Sequence, residues 1–170
     1  MVMSSSEEHR RKAHAQEPVA VGLVTVSDSR TLESDANGAY LREAVSAAGH
    51  RVAGYRLVPD EPAGVLAAVD ELIGDSDAIV LNGGTGLAAR DRTYDALAGR
   101  MDRTLPGFGE LFRMLSWEQV GSAAMLSRAV AGTIGGVIVF SVPGSPAAVR
   151  LAWERLIAPE LKHVVRELRR

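Results

Sequence analysis

The stretch Ala78-Ile79-Val80-Leu81-Asn82-Gly83-Gly84-Thr85-Gly86 decides the fold class, and Arg90-Asp91-Arg92-Thr93 follows it closely. A short apolar run that leads into several glycines indicates a buried strand followed by a loop. Glycines lack a Cβ, so successive backbone N–H groups can face one point and an anion can approach closely. The stretch therefore predicts a strand that ends in a phosphate-binding loop, with Asp91 placed to hold the Mg²⁺ that accompanies phosphates.

On both sides of this stretch, strand-like apolar segments alternate with helical patterns. The predicted strands are residues 19–26, 51–57, 78–81 and 137–141, and the predicted helices are centred on residues 41–48, 65–73, 94–101, 110–120 and 157–168. This alternation indicates an α/β fold with a mainly parallel central sheet. Residues 51–57 have mixed polarity, which places that strand nearer an edge. The corner Leu105-Pro106-Gly107-Phe108-Gly109 is expected to break regular structure.

Composition limits the classes of function. The chain has 170 residues, 46% apolar residues and a formal net charge of −2, which predicts one folded domain without general affinity for nucleic acid or anionic membranes. It has no cysteine, which excludes disulfides and thiolate zinc sites and is compatible with the cytoplasm. Residues 1–17 are serine-rich and charged, so we expect a disordered extension before a single domain at 18–170. The apolar run at 19–26 is too short to span a membrane.

Four polar turns follow predicted strands, and the carboxyl ends of parallel strands lie at one edge of a sheet. These turns are Ser27-Asp28, Pro59-Asp60-Glu61, the glycine loop with Asp91, and Pro143-Gly144-Ser145. Together they would form a pocket for a phosphorylated ligand with a divalent metal. Asp60 and Asp91 also precede helical patterns, where aspartate commonly caps a helix, and both interpretations stay open here.

Two other phosphate motifs fit less well. Gly84, Gly86 and Ala89 match the dinucleotide fingerprint as a string, but Arg90 and Asp91 crowd the point where the helix should open on the pyrophosphate. A Walker loop is excluded because no Lys-Ser or Lys-Thr follows the glycines. Elsewhere, Ser127-Arg128 is interpreted as a surface or subunit contact, and the four histidines show no metal-ligand spacing.

Several motifs, taken in their order along the chain, resemble the MoaB/Mog family of molybdenum cofactor biosynthesis. Within that family, Arg30-Thr31-Leu32-Glu33 and residues 112–116 are more similar to the MoaB branch. The motifs are Val26-Ser27-Asp28-Ser29-Arg30, Val58-Pro59-Asp60-Glu61, Asn82-Gly83-Gly84-Thr85-Gly86, Arg90-Asp91-Arg92-Thr93, Pro106-Gly107-Phe108-Gly109-Glu110, Leu126-Ser127-Arg128-Ala129 and Pro143-Gly144-Ser145-Pro146. The match spans roughly residues 19–159, which is essentially the whole predicted domain.

The resemblance implies a three-layer α/β/α molybdopterin-binding fold and Mg²⁺-dependent adenylylation of molybdopterin by ATP, with release of pyrophosphate. Asp60 and Asp91 resemble the family's two functionally important acids, and Mg²⁺ binding is the expected role of at least one. The resemblance gives phosphate binding to Asn82, Gly83, Gly84, Thr85 and Gly86, and puts Ser27, Asp28, Pro143, Gly144 and Ser145 beside the nucleotide and pterin. It also suggests a homotrimer or a dimer of trimers.

The sequence departs from the family pattern at two places. Asn82 stands where relatives usually have threonine, and no lysine follows the Pro143-Gly144 turn. Arg150 lies one helical turn beyond Ala147 and is a candidate to replace that charge. A non-catalytic molybdopterin-binding or scaffold protein of the same pathway is the alternative function, although retention of both Asp60 and Asp91 favours the enzyme.

Overall fold

A computed structural model describes residues 17–88 and 91–170 of the chain. Nearly all of the predicted N-terminal extension, together with Ala89 and Arg90, therefore lies outside the described residues. The strands are β1 (Ala20–Val26), β2 (Arg51–Val58), β3 (Ala78–Asn82), β4 (Arg103–Thr104), β5 (Val130–Ile134) and β6 (Val137–Val142). The helices are α1 (Ala36–Ala47), α2 (Pro62–Ile73), α3 (Thr93–Arg100), α4 (Pro106–Val120), α5 (Pro146–Ala152) and α6 (Ala158–Leu168). A 3-10 helix (Gly121–Leu126) follows α4, and one π-helical turn (Trp153–Ile157) joins α5 to α6.

The strands form one sheet in the order β2-β1-β3-β6-β5-β4. The neighbouring strands β2, β1, β3 and β6 pair in parallel. Strand β5 is antiparallel to both of its neighbours, β6 and β4. The mainly parallel sheet is confirmed, and β2 lies at the predicted edge. Among the described residues, no helix has both the length and the apolar content needed to cross a membrane.

Two hydrophobic cores cover the two faces of the sheet. One contains Leu23, Val80 and Phe140 of the sheet, packed with side chains of α1, α4 and the C-terminal helices such as Phe112 and Leu161. The other packs strand residues against α2 and α3, with Val24, Ile79, Val65, Val69 and Leu97 among its members. Helices on both faces make the expected three-layer α/β/α architecture.

One expectation about local structure is wrong, and two strands were missed. The corner at Leu105 to Gly109 does not break regular structure, because Pro106 begins α4 at the first helical position, where its missing N–H costs nothing. Strands β4 and β5 were not predicted. Strand β4 has two residues and β5 reads Val-Ala-Gly-Thr-Ile, so neither shows a clear apolar pattern.

Candidate functional site

The four polar turns lie together at the carboxyl edge of the parallel strands, as their positions in the sequence predict. The Ser27 N–H donates to the Val58 carbonyl at 2.9 Å, and the Gly83 N–H donates to the Val142 carbonyl at 3.0 Å. The Asp60 N–H donates to Asp28 Oδ1 at 2.9 Å. Backbone bonds between neighbouring strand ends therefore fix the turns relative to one another.

The glycine loop has a backbone conformation that side chains rarely adopt. Gly83 and Gly84 have φ angles of +98° and +66°. A Cβ at Gly83 would lie 2.1 Å from the Val26 carbonyl oxygen, and one at Gly84 would lie 2.8 Å from Cβ of Thr93. Glycine is needed here for both the φ angle and the close approach of neighbouring backbone.

The two aspartates flank this loop. Asp60 Oδ1 accepts a hydrogen bond from Thr93 Oγ1 at 2.6 Å, and it would lie 3.1 Å from a Cβ at Gly84. Asp91 Oδ2 accepts from the Ala88 N–H at 3.1 Å and lies against Gly86. One carboxylate therefore lies beside each end of the loop.

Helix capping does not account for these aspartates. Helix α2 begins after Glu61 and α3 begins after Arg92, and no side chain caps either helix. The capping interpretation is therefore wrong for Asp60 and Asp91. Among residues 17–88 and 91–170, no group of three or more Asp, Glu, His or Cys side chains is arranged to hold a metal ion, at this edge of the sheet or away from it.

Arg128 contacts the glycine loop directly, which the sequence patterns did not predict. Its guanidinium donates to the carbonyls of Thr85 at 3.1 Å, Gly86 at 2.5 Å and Asp91 at 3.0 Å. It also pairs with Asp95 at 3.2 Å. This contact with the glycine loop is a role that the interpretation of Ser127-Arg128 as a surface or subunit contact did not include. The residue that holds the loop comes from a segment 42 positions away from Gly86, so no local pattern could reveal it.

A cleft of about 310 Å³ opens beside the loop. Thr85, Gly86, Ser127, Pro143 and Ser145 line its sheet side, and α4 with the following 3-10 helix forms the opposite wall. That wall combines apolar groups with the polar side chains of Ser116 and Gln119. Apolar surface with a few placed polar groups suits a flat heterocycle attached to phosphate.

The remaining predicted residues lie at the same edge, with one exception. Ser145 Oγ caps α5 by accepting from the Ala148 N–H at 3.2 Å, and Ser27 Oγ accepts from the Arg30 N–H at 3.2 Å. The Asn82 side chain is 1% exposed and bonds within the protein interior. Its direct contact with a ligand stays a prediction.

Arg150 is the exception, because its guanidinium lies 4.1 Å over the ring of Tyr40. The Tyr40 hydroxyl donates to Glu154 Oε1 at 2.8 Å. Burial and this neighbouring carboxylate raise the pKa of Tyr40 to about 12. The idea that Arg150 replaces a missing positive charge stays a prediction that these contacts do not support.

Comparison with known proteins places this architecture in a family. Residues 22–163 match the family model described as "Probable molybdopterin binding domain". The chain is 48% identical over 167 residues to Molybdenum cofactor biosynthesis protein B of Halalkalibacterium halodurans, across 96% of this chain and 97% of that protein. The chain belongs to the MoaB/Mog family of molybdenum cofactor biosynthesis proteins. The family expected from the sequence motifs is therefore confirmed.

Solved structures agree with the assignment to the MoaB/Mog family. A crystal structure of Molybdenum cofactor biosynthesis protein B is 47% identical and superposes with a TM-score of 0.87, over 91% of this chain and 98% of that one. The tungsten cofactor synthesizing protein MoaB from Pyrococcus furiosus is 37% identical, with a TM-score of 0.84 over 92% of this chain and 100% of that one. The fold around the candidate site is thus the MoaB/Mog fold.

Proposed function

We propose that this MoaB/Mog family protein catalyses the adenylylation of molybdopterin by MgATP, which yields adenylyl-molybdopterin and pyrophosphate. The observation that carries the proposal is the pair of carboxylates, Asp60 and Asp91, at the two ends of a glycine loop that borders a cleft. A site that only bound polyanions would gain nothing from acids beside the phosphates. Acids are useful there when a cation accompanies the phosphates.

The reaction requires positioning more than acid–base chemistry. An oxygen of the pterin's terminal phosphate attacks the α-phosphorus of ATP, and the bond from that phosphorus to the bridging oxygen breaks as pyrophosphate leaves. The attacking oxygen is already anionic, so no strong general base is required. The protein must align the two phosphates and offset the repulsion between them.

The chain supplies suitable groups for both tasks. Backbone N–H groups of the loop after Gly83, from Gly84 to Gly86, would bind phosphate oxygens, and Arg128 holds the loop carbonyls on the other side. Asp60 and Asp91 would hold Mg²⁺, which takes one or two protein carboxylates and completes its shell with phosphate oxygens and water. When bound, Mg²⁺ would reduce the negative charge of the polyphosphate.

The test replaces each acid by its neutral isostere. Asp60→Asn and Asp91→Asn should each lower the rate of pyrophosphate release by roughly a hundredfold or more, because charge stabilisation at the phosphates is lost. Asp75→Asn is the matched control, since Asp75 is an exposed acid at the opposite, amino edge of the sheet. Its rate should equal that of the wild type.

Each outcome separates the two candidate functions. Pyrophosphate release that requires both molybdopterin and Mg²⁺ supports the enzyme. Tight binding of the pterin without turnover would instead support the non-catalytic scaffold of the same pathway. Unchanged rates in both asparagine variants would refute the assignment of the acids even if the wild type is active.

The proposal includes a cytoplasmic homotrimer or dimer of trimers. Helix α4 and the 3-10 helix expose several large apolar side chains, among them Leu111, Met114, Trp117, Val120 and Met125. Large apolar side chains left exposed along one helix and the turn after it support association with another protein surface. Light scattering coupled to size exclusion would give the mass of the assembly, and a monomer would contradict this part of the proposal.

A further inference from the structure

A buried hydrogen-bond network lies beneath the candidate site and takes no direct part in the proposed chemistry. It centres on Asn37 and Asn82, the two asparagines of the chain, where Asn37 Nδ2 donates to Asn82 Oδ1 at 3.0 Å. Their exposed fractions are only 2% and 1%. Asn82 Nδ2 in turn donates to Thr25 Oγ1 at 3.0 Å and to the Val24 carbonyl at 3.3 Å. The network therefore joins the start of α1 to the ends of β1 and β3.

The same network reaches the turn after β6. Asn37 Nδ2 also donates to the Gly144 carbonyl at 2.8 Å, so its two amide protons can serve two different turns of the site. Arg30 Nη2 donates to the same carbonyl at 3.1 Å. Asp35 holds that guanidinium at 3.3 Å. The backbone bond from Gly83 to Val142 joins the two strand ends. The buried amide of Asn37, supported by an ion pair, adds a side-chain connection between the glycine loop and the Pro143-Gly144 turn itself.

The ion pair has a carboxylate that stays charged. Burial alone would raise the pKa of Asp35, but hydrogen bonds from Thr25 and Tyr55 and the charge of Arg30 hold it below its ordinary value. Arg30 therefore keeps its charged partner at neutral pH. Its contact with the Gly144 carbonyl is correspondingly well fixed.

The two connected turns are in contact, so a small change in the distance between them changes the geometry of the site. A Cβ at Gly144 would lie 3.2 Å from the Gly83 Cα. Both turns border the region where the proposed reaction aligns two phosphates, and Pro143 and Gly86 line the adjoining cleft. Misplacement of reacting groups by about 1 Å can lower a rate by roughly a hundredfold.

We propose that Asn37 is a positioning residue that sets the distance between the glycine loop and the Pro143-Gly144 turn, with Arg30 as the second donor to the Gly144 carbonyl. For its catalytic consequence, this inference rests on the function proposed above. Loss of Asn37 leaves Asn82 Oδ1 without its donor and leaves Gly144 with Arg30 alone. The turns then sample spacings that do not align the phosphates, while each turn keeps its own binding groups.

The test compares Asn37→Ala with Val45→Ala. Val45 is fully buried in the same helix, α1, and packs in the core, so its truncation destabilises α1 without removing a hydrogen bond from either turn. Three quantities are measured for each variant: thermal stability, steady-state kinetics of pyrophosphate release, and hydrogen exchange of the Gly83 and Ala148 amides. Those amides donate within the two turns, to Val142 and Ser145 respectively.

In Asn37→Ala, the hydrogen-exchange rates of the Gly83 and Ala148 amides should rise by about tenfold or more. The kcat should fall by about tenfold to a hundredfold. The KM for MgATP should change by less than about threefold, because the binding groups of each turn remain. Val45→Ala should lose stability without either change. Arg30→Ala should show the same effects on a smaller scale. Because the Arg30 side chain is partly exposed, this variant provides the test if Asn37→Ala does not fold.

Unchanged exchange in Asn37→Ala would overturn the proposal. Equal losses of kcat in Asn37→Ala and Val45→Ala would also overturn it, because the effect would then follow stability alone. A wild type without transferase activity would refute the proposed function instead. The exchange data would then still decide whether Asn37 couples the two turns.

Discussion

Replacing Arg128 by alanine should disorder the glycine loop and remove most of the activity. The guanidinium donates to the carbonyls of Thr85, Gly86 and Asp91. A hydrogen bond from a charged group contributes about 1.5 kcal/mol at the low end, and water can partly replace three such bonds at this accessible loop. The pair with Asp95, whose side chain is 68% exposed, adds less than about 0.5 kcal/mol. Three such bonds would contribute about 4.5 kcal/mol, and replacement of part of this by water leaves a total of about 3 kcal/mol.

Most of this free energy stabilises the local order of the loop. A loss of about 3 kcal/mol lowers the population of the ordered loop relative to open forms by roughly a hundredfold. If only the ordered loop binds the phosphates, kcat/KM for pyrophosphate release should fall by a similar factor. Hydrogen exchange at Tyr94, whose N–H donates to the Gly84 carbonyl at 3.3 Å, should accelerate in parallel.

Arg128→Lys separates the charge from the shape of the guanidinium. An ammonium is a point charge on a flexible stem and cannot span three carbonyls at once, so lysine should restore less than about a tenth of the lost activity. Arg100→Ala is the control, because Arg100 forms an exposed ion pair with Asp70 at 2.7 Å on the surface of α3. It should change stability by less than about 1 kcal/mol and leave the kinetics intact. Full activity in Arg128→Ala, or full rescue by lysine, would show that the three guanidinium contacts do not order the loop.

Three further substitutions test the fold around the site. Gly83→Ala should destabilise the protein by about 2 to 4 kcal/mol, because the positive φ angle and the nearby Val26 carbonyl both disfavour a Cβ. Urea unfolding measures this loss, and an unchanged midpoint would contradict it. Burial and the charge of Lys162 lower the pKa of His50. The folded state then binds fewer protons, so the free energy of unfolding should fall as pH drops below about 6.5, and His50→Gln should abolish that part of the slope. Phe112→Ala should cost about 3 to 5 kcal/mol by calorimetry, since Phe112 is 1% exposed in the core, and a loss below 1 kcal/mol would contradict its packing role.

The sequence predicts the sheet and its functional edge because those features depend on local patterns. All five residues of strand β3 are buried and the first four form a continuous apolar run, and the glycines after it mark the loop. Parallel topology then brings Asp60 and Asp91 to one edge without any knowledge of side-chain contacts. These predictions needed only strand order and the position of each turn.

The contacts that hold the site together could not be predicted in this way. Arg128 reaches Gly86 across 42 positions of sequence, and Asn37 reaches Gly144 across 107. Such pairs depend on how elements pack, and the residue types involved are common on any surface. The start of α4 at Pro106 was missed for a different reason, because proline and glycine mark turns and helix starts alike.

Transfer of an adenylyl group distinguishes the proposed enzyme from a protein that only binds the pterin. The most direct measurement supplies ATP labelled at the α-phosphorus, with molybdopterin and Mg²⁺, and follows the label in the wild-type reaction. We expect the label to appear in the pterin product in an amount equal to the pyrophosphate released. Binding of both ligands with all of the label remaining in ATP would contradict it.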